Sequence, residues 1–223
     1  MSWIGKYAKS SIGKKQMMAV SGLLLCGFLV AHLAGNLLLL CKPEVFNEYS
    51  HKLVNNPFIV PMEIGLVLLF VFHLAMGILL NIENSRARPD KYAMKARTGR
   101  GATFASANMI YTGIIIFIFL IIHLKTFKYG TQYIATYSNV EMRDLYRTVM
   151  ECFQSFPYTL WYVFAMLCLG IHLSHGFAST FKSLGLEHEK YTCTIERLGK
   201  IYAIVVAGAF AFLAAWSYFK GGV

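Results

Sequence analysis

Five long apolar stretches constrain the fold of this 223-residue chain more than any other feature of its sequence. A helix needs about 20 apolar residues to cross the ~30 Å hydrocarbon layer of a bilayer, and each stretch reaches that length. The stretches lie at residues 17–40, 59–82, 104–125, 158–181 and 199–219. They leave no room for a sizeable soluble domain, and the first is too long for the core of a signal peptide. We therefore predict a single all-α domain over residues 1–223, an integral membrane bundle of five transmembrane helices with short interfacial helices.

The basic residues are distributed unevenly between the two sides of the predicted bundle. The net charge is +10, and 14 of the 21 lysines and arginines precede the first span or follow the second and the fourth. Because positive residues concentrate in cytoplasmic loops, the N-terminus is predicted to be cytoplasmic and the C-terminus external. The basic loop 84–101 would then face the cytoplasm. No nucleic-acid-binding motif accompanies the charge, so no nucleic-acid partner is expected.

The loops on the opposite side predict two helices outside the spans. A short helix is expected over residues 45–54. The alternating charges of residues 140–153 predict a helix that lies on the membrane surface. Cys41 and Cys152 would both face this side, where a disulfide between them stays open. No internal repeat is evident in the sequence.

One histidine lies deep within each of the first four spans, and ionisable residues in such positions usually mark function. They are His32, His73, His123 and His172. At 1.5 Å per residue, His73 and His172 lie roughly 14 Å from the predicted cytoplasmic ends of their spans, whereas His32 and His123 lie at roughly 22 and 28 Å. Four imidazoles are what two haems need as axial ligands. The depths therefore predict two bis-histidine haems, one above the other.

Small residues accompany these histidines, as the breadth of a porphyrin requires. Gly77 and Gly176 each follow a histidine by one helical turn, and Gly35 lies beside His32. Small residues also permit close packing between helices, which is the alternative interpretation of the glycines alone.

The fourth span contains a second histidine, His175, which could replace His172 as the ligand. His172 is favoured because it lies at the depth of His73 and, like His73, is followed four residues later by a glycine. His175 would then bond a haem propionate or a water molecule. The sequence has no C-x-x-C-H attachment motif, so any haem would be a non-covalently held b-type haem.

Other classes of membrane protein also use histidines within their spans. A di-iron oxygenase needs histidines clustered at one face near carboxylates, whereas here each helix offers one candidate at one of two depths. A transporter or proton channel should have partnering acids, and Glu63 is the only acid within a span. A di-haem cytochrome b anchor of a formate dehydrogenase or hydrogenase remains the alternative reading.

Several short motifs carry a resemblance to a known family. They are Ser21-Gly-Leu, His32-Leu-Ala-Gly-Asn-Leu37, Phe46-Asn-Glu-Tyr49, Glu63-Ile-Gly-Leu, His73-x-x-x-Gly77 and His172-Leu-Ser-His-Gly-Phe177. Together they resemble the di-haem cytochrome b anchor of succinate:menaquinone and quinol:fumarate reductases, over nearly the whole chain.

This resemblance implies the cofactors and partners of a respiratory complex in a bacterial inner membrane, one used in anaerobic respiration. The chain would be its multi-pass cytochrome b subunit, in contact with membrane lipid, with two haem b groups and menaquinone as cofactors. An iron–sulfur subunit and an FAD flavoprotein subunit would dock on the cytoplasmic side, and the flavoprotein would hold the dicarboxylate site. A dimer of the whole complex is a further expectation.

The resemblance also assigns roles to individual residues. Menaquinone would bind near the outer haem, with Glu48 and Glu63 as the acids best placed to handle its protons. Their alternatives are a surface charge for Glu48 and a helix N-terminal carboxylate for Glu63. Ser21 is counted among the cofactor-binding residues, and Lys182 could pair with the propionates.

One expected acid is absent. Some fumarate reductases that resemble this chain carry a glutamate two residues before the inner-haem ligand of the fourth helix, where it serves a compensating proton path. Gly170 occupies that position in this sequence.

Overall fold

A computed structural model describes residues 2–87 and 103–221 of the chain. Within these ranges, five helices are long and apolar enough to cross a membrane. They span Ser11–Leu40, Ile59–Arg86, Met109–Lys128, Phe156–Ser183 and Thr192–Lys220. The predicted all-α membrane bundle is therefore confirmed. The orientation of its termini stays a prediction, and most of the basic loop 84–101 lies outside the described residues.

The helices and strands follow one another in a simple order. They are α1 (Trp3–Lys9), α2 (Ser11–Leu37), α3 (Pro43–Val54), α4 (Ile59–Arg86), α5 (Phe104–Ala107), α6 (Met109–His123), β1 (Ile134–Tyr137), β2 (Val140–Arg143), α7 (Leu145–Phe153), α8 (Phe156–Ser183) and α9 (Thr192–Lys220). A 3₁₀ turn, Leu38–Leu40, extends α2, and a π turn, Leu124–Lys128, extends α6. Pro43 at the start of α3 fits the first turn of a helix, where no N–H is needed. The short helix predicted over residues 45–54 is thus present.

Helix α8 lies at the centre of the bundle, in contact with α2, α6 and α9. Its longest contact is with α9, and small residues make that contact close. A Cβ atom on Gly170 would lie 3.3 Å from the Cβ of Ala207, and Ala165 and Ala203 are almost fully buried. Small residues bring helices together where lipid provides no hydrophobic drive for their association. Gly170 therefore serves the contact between α8 and α9.

The outer surface of the long helices is apolar. Large side chains such as Leu68 and Ile204 are exposed, and among the residues of α4 only Met76 is buried. In water such a continuous apolar surface would mark an interaction site or cause aggregation. Facing lipid chains, it needs no further partner.

The end of the bundle where α2 finishes, here called the outer side, is covered by α3, the β1–β2 hairpin and α7. The predicted surface helix over residues 140–153 is wrong in its first part. Ser138 and Asn139 both adopt positive φ angles, which form the two-residue turn of a β-hairpin, so residues 140–143 pair with β1. Helix α7 begins only at Leu145, and its apolar face is buried against the bundle. Cys41 and Cys152 have free thiols.

A buried asparagine fixes this outer cover. Asn47 of α3 is fully buried and donates a hydrogen bond to the Asp144 carboxylate at 2.8 Å. The backbone N–H of Tyr146 donates to the Asn47 side-chain oxygen at 2.9 Å. Asp144 also caps α7 by accepting from the backbone N–H of Arg147. One amide thereby joins α3 to the first turn of α7.

Candidate functional site

The four intramembrane histidines form two pairs in the structure. The imidazole rings of His73 on α4 and His172 on α8 have centroids 6.5 Å apart. Those of His32 on α2 and His123 on α6 are 5.8 Å apart. All four side chains are half-buried. The structure thus brings together the histidines that the depth estimate paired, and His172, rather than His175, is the histidine of α8 beside His73.

The two pairs lie at different levels of the bundle. His73 contacts Ser21 of α2, and His32 follows Ser21 by 11 residues on the same helix. At 1.5 Å per residue this separates the two levels by roughly 16 Å. The pair His73–His172 is called the inner pair below, and His32–His123 the outer pair.

Each histidine of the inner pair contacts the hydroxyl of a buried residue on another helix. The Oγ of Ser21 lies 2.9 Å from Nδ1 of His73. The Oγ1 of Thr112 on α6 lies 3.1 Å from Nδ1 of His172. Ser21 and Thr112 are only 2% and 5% exposed, so water cannot substitute for these contacts.

The hydroxyl of each residue has a carbonyl oxygen of its own helix within hydrogen-bond distance. Ser21 donates to the carbonyl oxygen of Met18 at 2.9 Å, and Thr112 donates to that of Asn108 at 3.0 Å. A hydroxyl has one hydrogen, so while it donates to this carbonyl oxygen it accepts from the imidazole. In this arrangement Nδ1 of each histidine carries the hydrogen, and the lone pair that could bind a metal lies on Nε2.

Glycines next to the two hydroxyl residues leave room for the imidazoles. A Cβ atom on Gly22 would lie 3.3 Å from Cε1 of His73, and one on Gly113 would lie 3.7 Å from Cε1 of His172. The first of these distances is tighter than most real contacts of a Cβ atom. The absence of a side chain at Gly22 therefore lets α2 lie close to the ring of His73.

The glycines predicted from the sequence have different neighbours. Gly77 faces the end of the Met18 side chain, where a Cβ atom would lie 3.4 Å from the methionine methyl group. At Gly35, a Cβ atom would lie 2.8 Å from the ring of Tyr49, so this glycine lets α3 pack on the end of α2. Gly176 meets the methyl group of Met109 at 3.9 Å, an ordinary contact. These three glycines thus have neighbours on other helices, and their place beside a haem stays a prediction.

Aromatic rings surround the outer pair. The rings are those of Phe28, Phe119, Phe127 and Phe210. Nδ1 of His123 lies 3.3 Å from the hydroxyl of Tyr162, which accepts a hydrogen bond from Tyr158. The amide nitrogen of Asn36 lies 3.5 Å from the His32 ring and donates chiefly to the His32 carbonyl oxygen. The two pairs thus differ in their surroundings. The hydroxyls of Ser21 and Thr112 contact the inner pair, whereas aromatic rings and the hydroxyl of Tyr162 lie around the outer one.

The ring separations fit two imidazoles on one metal centre. Metal–nitrogen bonds of ~2 Å on opposite sides of an ion would place the ring centroids about 6 Å apart. The described residues contain no group of three or more His, Cys, Asp or Glu that could hold a bare ion. Two neutral imidazoles per level are the donor set of a haem held by two axial histidines. The residues present therefore fit such a group.

Of the remaining predicted residues, Lys182 and Glu63 form ion pairs. Lys182 forms an ion pair with Glu196 at 2.7 Å, which connects α8 to α9 at the inner end of the bundle. His175 is half-buried one turn beyond His172. At the outer end, Glu63 pairs with Lys128 of the π turn.

The second predicted acid, Glu48, lies on α3 and is 3.9 Å from Lys52. It is 39% exposed. Elsewhere on the outer side, a hydrogen bond from Tyr133 and the charge of Arg147 hold the pKa of Glu151 below its usual range. Glu151 is therefore a charged surface group, whereas Glu48 has only a weak partner.

The family comparison is consistent with this architecture. Residues 16–88 match the family of succinate dehydrogenase/fumarate reductase transmembrane subunits. The predicted resemblance to this family is thereby confirmed over α2, α3 and α4, which contain His32 and His73. The match covers about a third of the chain, and the five apolar helices are those of a multi-pass membrane protein. The chain has no significant match among curated proteins or solved structures.

Thr112 and Gly113 are the residues of the site that sequence reasoning missed. Their signal is a shared spacing, because Ser21-Gly22 and Thr112-Gly113 each precede the outer histidine of their helix by the same distance. The spacing alone does not indicate a function, and it gains one only through the contacts of the two hydroxyls with the inner pair.

Proposed function

We propose that this chain is the membrane anchor and electron conduit of a succinate dehydrogenase/fumarate reductase complex. Two bis-histidine b haems would carry electrons between menaquinone and an iron–sulfur subunit. The observation that supports this most is the presence of two imidazole pairs at two levels, roughly 16 Å apart along the helices. The family match of residues 16–88 favours this complex over a formate dehydrogenase or hydrogenase.

The chain's own residues have defined tasks in this proposal. His73 and His172 would hold the inner haem, and His32 and His123 the outer one. When bound, each haem would supply a one-electron redox centre. Because both histidines of a pair would hold its iron, they would leave no position for oxygen or a substrate and would restrict the site to electron transfer.

The two ends of the bundle would serve different partners. An iron–sulfur subunit, with a flavoprotein behind it, would dock at the inner end, which the charge distribution predicts to be cytoplasmic. Menaquinone would bind at the outer end, close to the outer pair. Glu48 is the better candidate for its protonation, since Glu63 is engaged with Lys128. The dicarboxylate chemistry would take place on the flavoprotein.

Haem analysis of the purified complex tests the proposal. Pyridine haemochrome spectra should show two b-type haems per chain. Replacing His73 or His172 by alanine should remove preferentially the haem of one midpoint potential. The same change at His32 or His123 should remove the other, since each iron would lose one of its two ligands.

His188→Ala is a suitable control, because His188 lies in a loop and stacks on Tyr191. This variant should keep both haems. One haem per chain, or none, would contradict the proposal. If His175→Ala loses the inner haem while His172→Ala retains it, the ligand of α8 is His175.

A further inference from the structure

Helices α2 and α6 carry the same arrangement of residues. In each, a methionine is followed three residues later by a hydroxyl residue and then by glycine: Met18, Ser21 and Gly22 on α2, and Met109, Thr112 and Gly113 on α6. The histidine of the outer pair follows the hydroxyl residue by 11 positions on both helices, which is three helical turns. The two helices therefore share a local spacing of residues.

The helices that face α2 and α6 also share a spacing of residues. His73 on α4 and His172 on α8 are each followed four residues later by a glycine, and each of these glycines faces one of the two methionines. The shared spacings and these contacts therefore relate α2 and α4 to α6 and α8 in sequence order.

We propose that Ser21 and Thr112 are equivalent positioning residues, whose hydroxyls accept the Nδ1 hydrogens of His73 and His172 and direct both Nε2 atoms to the inner haem. This proposal rests on the proposed function, because it names the residues that tune one of the two haems. It concerns the inner pair alone. Among the described residues, the hydroxyl that contacts the outer pair is that of Tyr162, which accepts from Tyr158 and has no hydrogen bond to a carbonyl oxygen of its own helix.

The physical effect of such a bond has a definite direction. Donation of the Nδ1 hydrogen fixes the ring tautomer and its orientation, and it makes the ligating nitrogen more basic. A more basic ligand stabilises ferric over ferrous iron. Loss of the acceptor should therefore raise the midpoint potential of the inner haem and weaken its binding, while the outer haem stays unchanged.

Four variants of the chain within the whole complex separate this role from helix packing. Ser21→Ala and Thr112→Val remove the acceptors with little change of volume, whereas Thr112→Ser keeps one. Ser174→Ala is the control for Ser21, because Ser174 also donates to a carbonyl oxygen three residues back, that of Ile171. All four keep the histidines themselves.

Thr148→Val provides the corresponding control for Thr112→Val. Thr148 is a buried threonine of α7 that donates to the carbonyl oxygen of Asp144, four residues back. A change of potential caused merely by the loss of a helical hydroxyl would appear in this control too.

Redox titrations of the visible spectrum, together with haem counts, give the result. Ser21→Ala and Thr112→Val should each shift one haem to higher potential, and should lower its affinity roughly tenfold. The double variant should shift the same haem further, and Thr112→Ser and both controls should match the parent complex. Shifts of both haems together, or no shift in a complex that retains both haems, would overturn this proposal alone. A parent complex without haem would refute the proposed function as well.

Discussion

Electron transfer through this chain should respond to the membrane potential, because α8 offers no acid for a compensating proton. Residues 156–183 contain neither Asp nor Glu, and Gly170 lies against Ala207 of α9. A glutamate at position 170 would have to displace α9 rather than enter a path beside the histidines. Electrons that cross between an inner iron–sulfur subunit and an outer menaquinone would then move charge alone.

The spacing of the histidine pairs sets the size of the effect. The two levels are roughly 16 Å apart, about half of the ~30 Å hydrocarbon layer. Moving one charge across the whole membrane changes its energy by about 2.3 kcal/mol per 100 mV, so the passage between the pairs accounts for about 1.2 kcal/mol. A full crossing at 100 mV changes the equilibrium constant for one electron about 50-fold.

Sealed vesicles that contain the complex allow the measurement. With the inside negative, the potential drives electrons outward, so an uncoupler should slow the oxidation of succinate by menaquinone. Reduction of fumarate by menaquinol should instead generate a potential, visible with a voltage-sensitive dye. Succinate oxidation by a soluble dye that accepts electrons before the membrane chain is the control and should not respond. If neither menaquinone-linked reaction responds to the uncoupler or generates a potential, protons follow the electrons and the reasoning fails.

Two further predictions concern packing. Gly170→Leu should destabilise the chain by about 1–3 kcal/mol, because its side chain would overlap Ala207, and a lower thermal denaturation midpoint in detergent should show this. Gly208→Leu, where a Cβ atom would meet none of the described residues within 4 Å, should leave that midpoint nearly unchanged, and equal losses would contradict the prediction. Asn47→Ala leaves the Asp144 carboxylate and a backbone N–H without their partner, so it should cost about 1–3 kcal/mol in the same assay, and an unchanged midpoint would contradict this.

The sequence predicts the spans and the histidine depths well, because both depend on one helix at a time. Apolar length identifies a span, and a rise of 1.5 Å per residue gives the level of His32 or His73 within it. The hairpin was missed because Ser138 and Asn139 form a turn through positive φ angles, which alternating charges do not reveal. Thr112 was missed for another reason, since its role depends on how α6 is rotated against α8.

The same helices contribute residues to both histidine pairs, so the distance between the pairs cannot change independently of these helices. Helix α2 presents Ser21 to the inner pair and its own histidine to the outer one, and α6 does the same with Thr112. Helix α8 carries a ligand candidate of the inner pair and also Tyr162, which contacts His123. A one-residue insertion between the two levels would rotate one contact by about 100° relative to the other. Continuous helices therefore set the distance between the two pairs along the bundle. This agrees with the separation of 11 residues between the hydroxyl residue and the outer histidine on both α2 and α6.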